Sequence, residues 1–247
     1  MTVHRTRTQL EKDDCRYVWH PFTQMQEWER HPPLIIKRGH GSYVYDMDGN
    51  AYLDATASIW VNVHGHRHPR IDQAIRRQLS QVAHTTLLGL SNPPAIQLAK
   101  MLIRLAPQGL QKVFYSDNGS TAVEIAAKMA IQYWQQCGTP QPRKIRFIHL
   151  GMSYHGDTVG GVSLSGIELF RRPFSSLVFP TYDIEPPYCY RCPFGLHFPE
   201  CRLACLDPLE NLLRVRHQEI AGVILEPMVQ GVAGIIPSPP GYLKRVR

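Results

Sequence analysis

The chain has 247 residues, 27 basic and 20 acidic for a formal net charge of +7, and 43% are hydrophobic. That suffices for one large domain, or one with a smaller companion, and for a sizeable core. It has no run of about 18 consecutive apolar residues, which argues against a membrane span. Lys and Arg are scattered among acids, apart from pairs such as Arg76-Arg77 and Arg171-Arg172. That patterning argues against nucleic acid and for a small anionic ligand.

The first stretch, MTVHRTRTQLEKDDC (1–15), lacks the apolar core of a secretory leader, and Glu11, Asp13 and Asp14 disfavour an organelle presequence. A cytoplasmic protein is expected. Residues 1–33 are polar and aromatic and read as an arm rather than a core element. LIIKRG (34–39), SYVYD (42–46) and AYLD (51–54) follow as short strand-like runs, the last two joined by a turn carrying Asp48-Gly49. In RIDQAIRRQLSQVA (70–83), Ile71, Ala74, Ile75, Leu79 and Val82 share one helical face. PAIQLAKMLIRLAP (94–107) predicts a second helix, with Pro94 in its first turn and its end before Pro107.

From residue 112 strand and helix alternate. KVFY (112–115) reads as strand, 119–136 as helix and KIRFIHL (144–150) as strand. DPLENLLRVRHQEI (207–220) reads as helix, AGVILEP (221–227) as a buried strand, and PPGYLKRVR (239–247) opens another helix. The alternation predicts an α/β fold with a parallel sheet whose strand-end loops carry the ligand.

Two such loops have ligand-binding chemistry. In YSDNGSTAVE (115–124), small polar residues stand where strand hands over to helix. The first N–H groups of a helix are unpaired and partly positive, so they bind phosphate where no bulky side chain blocks approach. Gly119 permits that approach and Ser120 adds a hydroxyl donor. A helix capped by Ser120 or Asn118, with no ligand, fits the same residues. The second loop, GMSYHGDT (151–158), holds an aromatic ring, an imidazole and a carboxylate between glycines. Tyr154 suits a planar ring, and it equally suits plugging the loop into the core. Together the two loops fit a pyridine ring bearing a phosphate.

WHPFTQM (19–25), YLDATASIWVNVHGHRHP (52–69), FYSDNGSTAVEIAAKMAIQYW (114–134), YHGDT (154–158) and LEPMVQG (225–231) resemble class III, fold-type I aminotransferases. The WHPFTQM arm and KMAIQYW helix resemble the branch of that family serving biotin biosynthesis. The resemblance implies a mostly parallel sheet flanked by helices, and pyridoxal 5'-phosphate as cofactor. Gly119 and Ser120 would hold the cofactor phosphate, Tyr154 would stack on its ring, Asp157 would support that loop, and Glu226 would lie beside the cofactor. Phe22 and Trp60 would face substrate, or serve as core aromatics.

The implied reaction is transamination of 7-keto-8-aminopelargonate to 7,8-diaminopelargonate by a homodimer acting on small molecules. S-adenosylmethionine is the implied amino donor; Ile59, where relatives carry a second tryptophan, keeps lysine open. The family's pyridine-pairing aspartate, in a D-E-[VI]-x-x-G-F-G-R-like block, and its Schiff-base lysine have no counterpart here. Lys112, Lys128 and Lys244 stand in other contexts and read as solvated charges. The chain is therefore expected to be a front portion, inactive alone, with an arm and small-domain strands over 1–70 and an incomplete large domain over 71–247. A non-catalytic fragment, or a zinc-stabilised interaction module, is the competing reading.

That module would centre on an insertion at about 186–206, where Cys189, Cys192, Cys201 and Cys205 form C-x2-C-x8-C-x3-C. Four thiolates in that span suit tetrahedral zinc. Reduced thiols packed in a surface insertion suit the same residues. Cys15 and Cys137 stand apart, and His64, His66 and His68 read as a turn before a helix rather than a metal site.

Overall fold

The computed structural model describes residues 7–31 and 33–247; the start of the expected arm, residues 1–6, and residue 32 lie outside it. The chain divides into two compact units, 1–106 and 107–247. The expected boundary from the residues lies at 70/71.

The first unit runs through α1 (Arg7–Tyr17), α2 (Met25–Trp28), β1 (Ile36–His40), β2 (Tyr43–Asp46) and β3 (Ala51–Leu53). It continues with α3 (Ala57–Trp60), α4 (Pro69–Leu79) and α5 (Pro93–Leu105). The three strands form an antiparallel meander, β1-β2-β3, with Val44 opposite both Gly39 and Tyr52. Pro at the start of α4 and α5, and Asn92 accepting from Ala95 N–H at 3.0 Å, set the helix starts. Neither helix buries a residue, so the apolar face read from Ile71, Ile75 and Leu79 stays exposed.

Asp46 closes the turn between β2 and β3. Its buried carboxylate accepts from the N–H groups of Asp48 and Asn50, from Asn50 Nδ2 and from Tyr52 Oη. These donors, the Asn50 amide first, hold its pKa down to about 2 from an ordinary 3.8. A depressed acid contributes stability above its unfolded value and loses it as pH falls through the folded value. Asp46→Asn is therefore expected to lower the denaturant midpoint at neutral pH. The gap to wild type should close as pH falls towards about 2, where Asp46 itself takes a proton. Midpoints of both proteins at neutral and acid pH check this.

The segment labelled α3 is left-handed. Ala57, Ser58, Ile59 and Trp60 have φ of 48°, 51°, 57° and 67°. Non-glycine residues resist this conformation by roughly 1–2 kcal/mol each. Asp54 offsets part of that cost: it accepts from Ser58 N and Oγ, each at 3.0 Å, and pairs with His66 Nε2 at 2.8 Å.

The second unit contains α6 (Gly119–Gln136), β4 (Arg146–Leu150), α7 (Val159–Ser163), α8 (Glu168–Arg171), β5 (Tyr182–Ile184) and α9 (Asp207–Arg216). It ends with β6 (Ile220–Val223), β7 (Val229–Gln230), β8 (Ile236–Pro237) and α10 (Tyr242–Val246). β4 lies between β5 and β6, parallel to both. It is covered on both faces, which explains its nearly unbroken buried run. Ile148 and Leu150 pack with Leu209 and Tyr242 in one core. Phe147, pointing oppositely, packs with Leu164, Ala221 and the α6 residues Val123, Ala127 and Trp134. Trp134 Nε1 donates to Ala221 O at 2.8 Å, tying α6 to β6.

Two expectations fail. KVFY forms no strand: no strand ladder among the described residues includes 112–115, and Phe114 is exposed. A strand without a ladder partner has no assigned hydrogen bonds to hold it. The run 221–227 is strand only to Val223, because the chain turns into the Glu226 loop.

Candidate active site

α6 starts at Gly119 because Asn118 caps it. Asn118 Oδ1 accepts from Thr121 N–H at 2.9 Å, and Thr121 Oγ1 accepts from Asn118 N–H at 3.3 Å. Asn118, rather than Ser120, is thus the cap. The Gly119 and Ser120 N–H groups have no acceptor among the described residues. A Cβ added at Gly119 would meet nothing within 4 Å, so the approach to those donors is open. This gives a positive helix end of 18 residues with unused donors.

The second loop leaves β4 at Leu150. Ser153 Oγ donates to Leu150 O at 2.6 Å, and Gly166 N–H donates to Ser153 O at 2.8 Å. Gly166 is required there: an added Cβ would lie 2.2 Å from Leu150 O. Tyr154, next in line, donates its N–H to Glu226 Oε1 at 2.8 Å, while Gly231 N–H donates to Glu226 Oε2 at 2.8 Å. Both oxygens of Glu226 thus hold backbone, which makes it a brace for the Tyr154 loop. Tyr154 Oη donates to Asp157 Oδ2 at 2.7 Å, and its ring meets Phe170 edge-on with centroids 6.2 Å apart. Burial, then the Asp157 carboxylate, pushes the Tyr154 pKa up to about 12, so it stays a neutral phenol. His155, beside it, is kept neutral: burial first, then His149, lowers its pKa to about 4.

The two loops touch. Gly156 has φ of +119°, and a Cβ there would lie 2.0 Å from Ser120 Oγ and 2.9 Å from Ser120 Cα. Glu124, on α6, adds a second link by accepting from Gly160 N–H at 2.8 Å. Its pKa is lowered first by the Thr158 hydroxyl, then by Gly160 N–H. The phosphate-type turn and the ring-type loop are therefore locked side by side. The Glu124 link was not legible in sequence, because nothing in an i to i+36 separation announces a crossing contact. LEPMVQG marked Glu226, but not its grip on Tyr154 N–H.

Other candidates sit elsewhere. Phe22 and Trp60 belong to the first unit and are 80% and 59% exposed. Lys112, Lys128 and Lys244 are all exposed. His66 pairs with Asp54, and the His64–His68 block leads into α4 as a turn. An apolar cavity of about 630 Å³ beside α6 is lined by Ala127, Lys128, Ile131, Phe147 and Phe179, and not by Gly119, Ser120, Tyr154 or Glu226.

The family model for class-III aminotransferases matches residues 24–247. This chain belongs to the class-III aminotransferase family. It is 51% identical to the adenosylmethionine-8-amino-7-oxononanoate aminotransferase of Geobacter sulfurreducens, over 97% of this chain and 53% of that one. Against the enzyme of that name from Staphylococcus aureus, identity is 48% over 96% and 53%. The crystal structure of the Methanocaldococcus jannaschii enzyme of that name superposes with a TM-score of 0.88 at 44% identity, covering 98% of this chain and 52% of that one. A PLP-bound amine transaminase from an uncultivated Pseudomonas gives 0.85 at 34%, over 94% and 52%. The class-III chain thus spans about half the length of the curated relatives it matches, and has the fold-type I architecture over that half. Class-III aminotransferases are pyridoxal-phosphate enzymes.

Proposed function

We propose that this chain supplies the phosphate- and ring-holding part of an aminotransferase of biotin biosynthesis. The enzyme converts 7-keto-8-aminopelargonate to 7,8-diaminopelargonate, with S-adenosylmethionine, or lysine, as amino donor. The observation that carries the reading is the contact of Gly156 with Ser120, which makes one site of two loops suited to a phosphate and a flat ring.

The cofactor fits what stands there. The Gly119 and Ser120 N–H groups and the Ser120 hydroxyl would take the phosphate of pyridoxal 5'-phosphate. Tyr154 would cover the ring, held by Asp157 at its hydroxyl and by Glu226 at its N–H. The bound cofactor supplies an electron-withdrawing ring that stabilises negative charge at the reacting carbon. Tyr154, a neutral phenol, would cover that ring without itself adding charge. Phe22 and Trp60 would contact substrate. No helix among the described residues is long and apolar enough to cross a membrane, and the reading takes the working enzyme as a cytoplasmic homodimer with small-molecule partners.

A lysine able to carry the amino transfer is not among those with a matching context in 1–247, so this polypeptide alone is expected to turn over no ketone. Joined to the second half of the Geobacter sulfurreducens relative, it is expected to restore biotin-independent growth to a strain lacking this transaminase. A soluble chimaera that binds pyridoxal phosphate and yet fails to restore growth would contradict the substrate assignment.

A further inference from the structure

The segment 186–206 is a loop of unusual length for a compact domain. It contains no α-helix or strand, only tight helical turns at Cys189–Arg191 and Ala204–Leu206. Ordered loops beyond about 12–15 residues need something to fasten them. Side chains along it line one small cavity of about 20 Å³, with Cys189, Phe194, Leu196 and Phe198 still partly exposed. Cys189, Cys192, Cys201 and Cys205 all line it, with Pro187, Pro193, Phe194, Leu196, Phe198 and Leu203 among the apolar walls. That volume holds one water or one ion and no organic molecule. The four cysteines are the soft donors in the lining, beside the Tyr188 phenol, and soft thiolates select zinc over hard cations.

A second observation points the same way. Tyr242, in α10, is buried, and its hydroxyl has no hydrogen-bond partner. A buried unpaired hydroxyl is costly. Arg245, on the same helix, fixes α10 to the end of the loop by donating to Arg202 O at 2.8 Å and Leu203 O at 2.9 Å. Tyr242 packs in the core that Cys205 borders. A metal-bound thiolate at Cys205 would give that hydroxyl its acceptor, the outer support usual around metal ligands.

We propose that Cys189, Cys192, Cys201 and Cys205 bind one structural Zn2+ that clasps the 186–206 loop, with the Tyr242 hydroxyl supporting Cys205. In the structure the sulfurs surround the cavity without meeting: no three His, Cys, Asp or Glu among the described residues stand in metal-holding geometry. Binding turns them inwards to about 2.3 Å from the ion. Four S–H bonds break, four protons pass to solvent, and four Zn–S bonds form. No electron is transferred.

The test is metal analysis of the untagged chain purified without chelator. Wild type is expected to hold about one zinc per chain, and to exchange it for Co2+ with the thiolate charge-transfer and d–d absorption of a tetrahedral sulfur site. The Cys15→Ser/Cys137→Ser variant keeps the metal and Cys189→Ser/Cys192→Ser loses it. Should the latter not fold, Tyr242→Phe serves: it removes one atom and is expected to weaken zinc affinity roughly 10-fold. Folded wild-type protein with no zinc and no cobalt spectrum overturns the proposal. So does a disulfide among these four cysteines under native conditions, or a Tyr242→Phe variant with unchanged affinity.

Discussion

Gly156→Ala is expected to destabilise the second unit by about 3 kcal/mol and to remove its affinity for pyridoxal phosphate. Two costs combine. At φ of +119° an alanine is strained whatever the space around it. Its Cβ would also press on Ser120, where rotation can clear Oγ at 2.0 Å but not Cα at 2.9 Å. The backbone must then part where the phosphate turn meets the Tyr154 loop. Gly160→Ala is the informative comparison. There the atoms nearest the added Cβ all belong to the Glu124 side chain, the closest at 2.6 Å, and φ is outside the left-handed region. A flexible carboxylate can step aside, so a smaller loss is expected, limited to the Glu124–Gly160 bond at roughly 1 kcal/mol. Denaturant unfolding and equilibrium dialysis of both variants check the ranking. Equal effects would mean that the Gly156–Ser120 contact does not hold the site together.

Much of this arrangement was legible from local signals. α6 occupies the expected 119–136 because Asn118, Gly119 and Thr121 specify a capped start in any context. The meander follows from its alternating runs and the Asp48-Gly49 turn, and α4 and α5 from their prolines. KVFY departs from the strand expectation because strand propensity is realised only through a ladder, and no ladder among the described residues includes 112–115. The left-handed turn at 57–60 could not be read from Ala-Ser-Ile-Trp, none of which favours positive φ; Asp54 and His66 impose it from outside. At the candidate site, Gly119 and Ser120 at the start of α6, and Tyr154 after β4, are legible as residues of suitable chemistry. Their neighbours Glu124 and Glu226 act through tertiary contacts, across 36 and 72 positions, which no short motif encodes.

Phosphate recognition at the start of α6 is the second large expected effect. Gly119 lies at the first helical position, where proline is tolerated, and Asn118 has the extended backbone (φ −156°, ψ 176°) that precedes proline readily. Gly119→Pro therefore removes one N–H donor while leaving the helix in place, and Ser120→Ala removes one hydroxyl. A hydrogen bond to a charged group contributes about 1.5–3 kcal/mol, on the order of tenfold or more in affinity. The most direct measurement compares binding of pyridoxal phosphate and of unphosphorylated pyridoxal to wild type, Gly119→Pro and Ser120→Ala. The phosphorylated form is expected to bind wild type at least about tenfold tighter, and each substitution to cut that preference about tenfold while sparing pyridoxal. Equal affinity for the two ligands in wild type, or a preference untouched by both substitutions, would contradict the account.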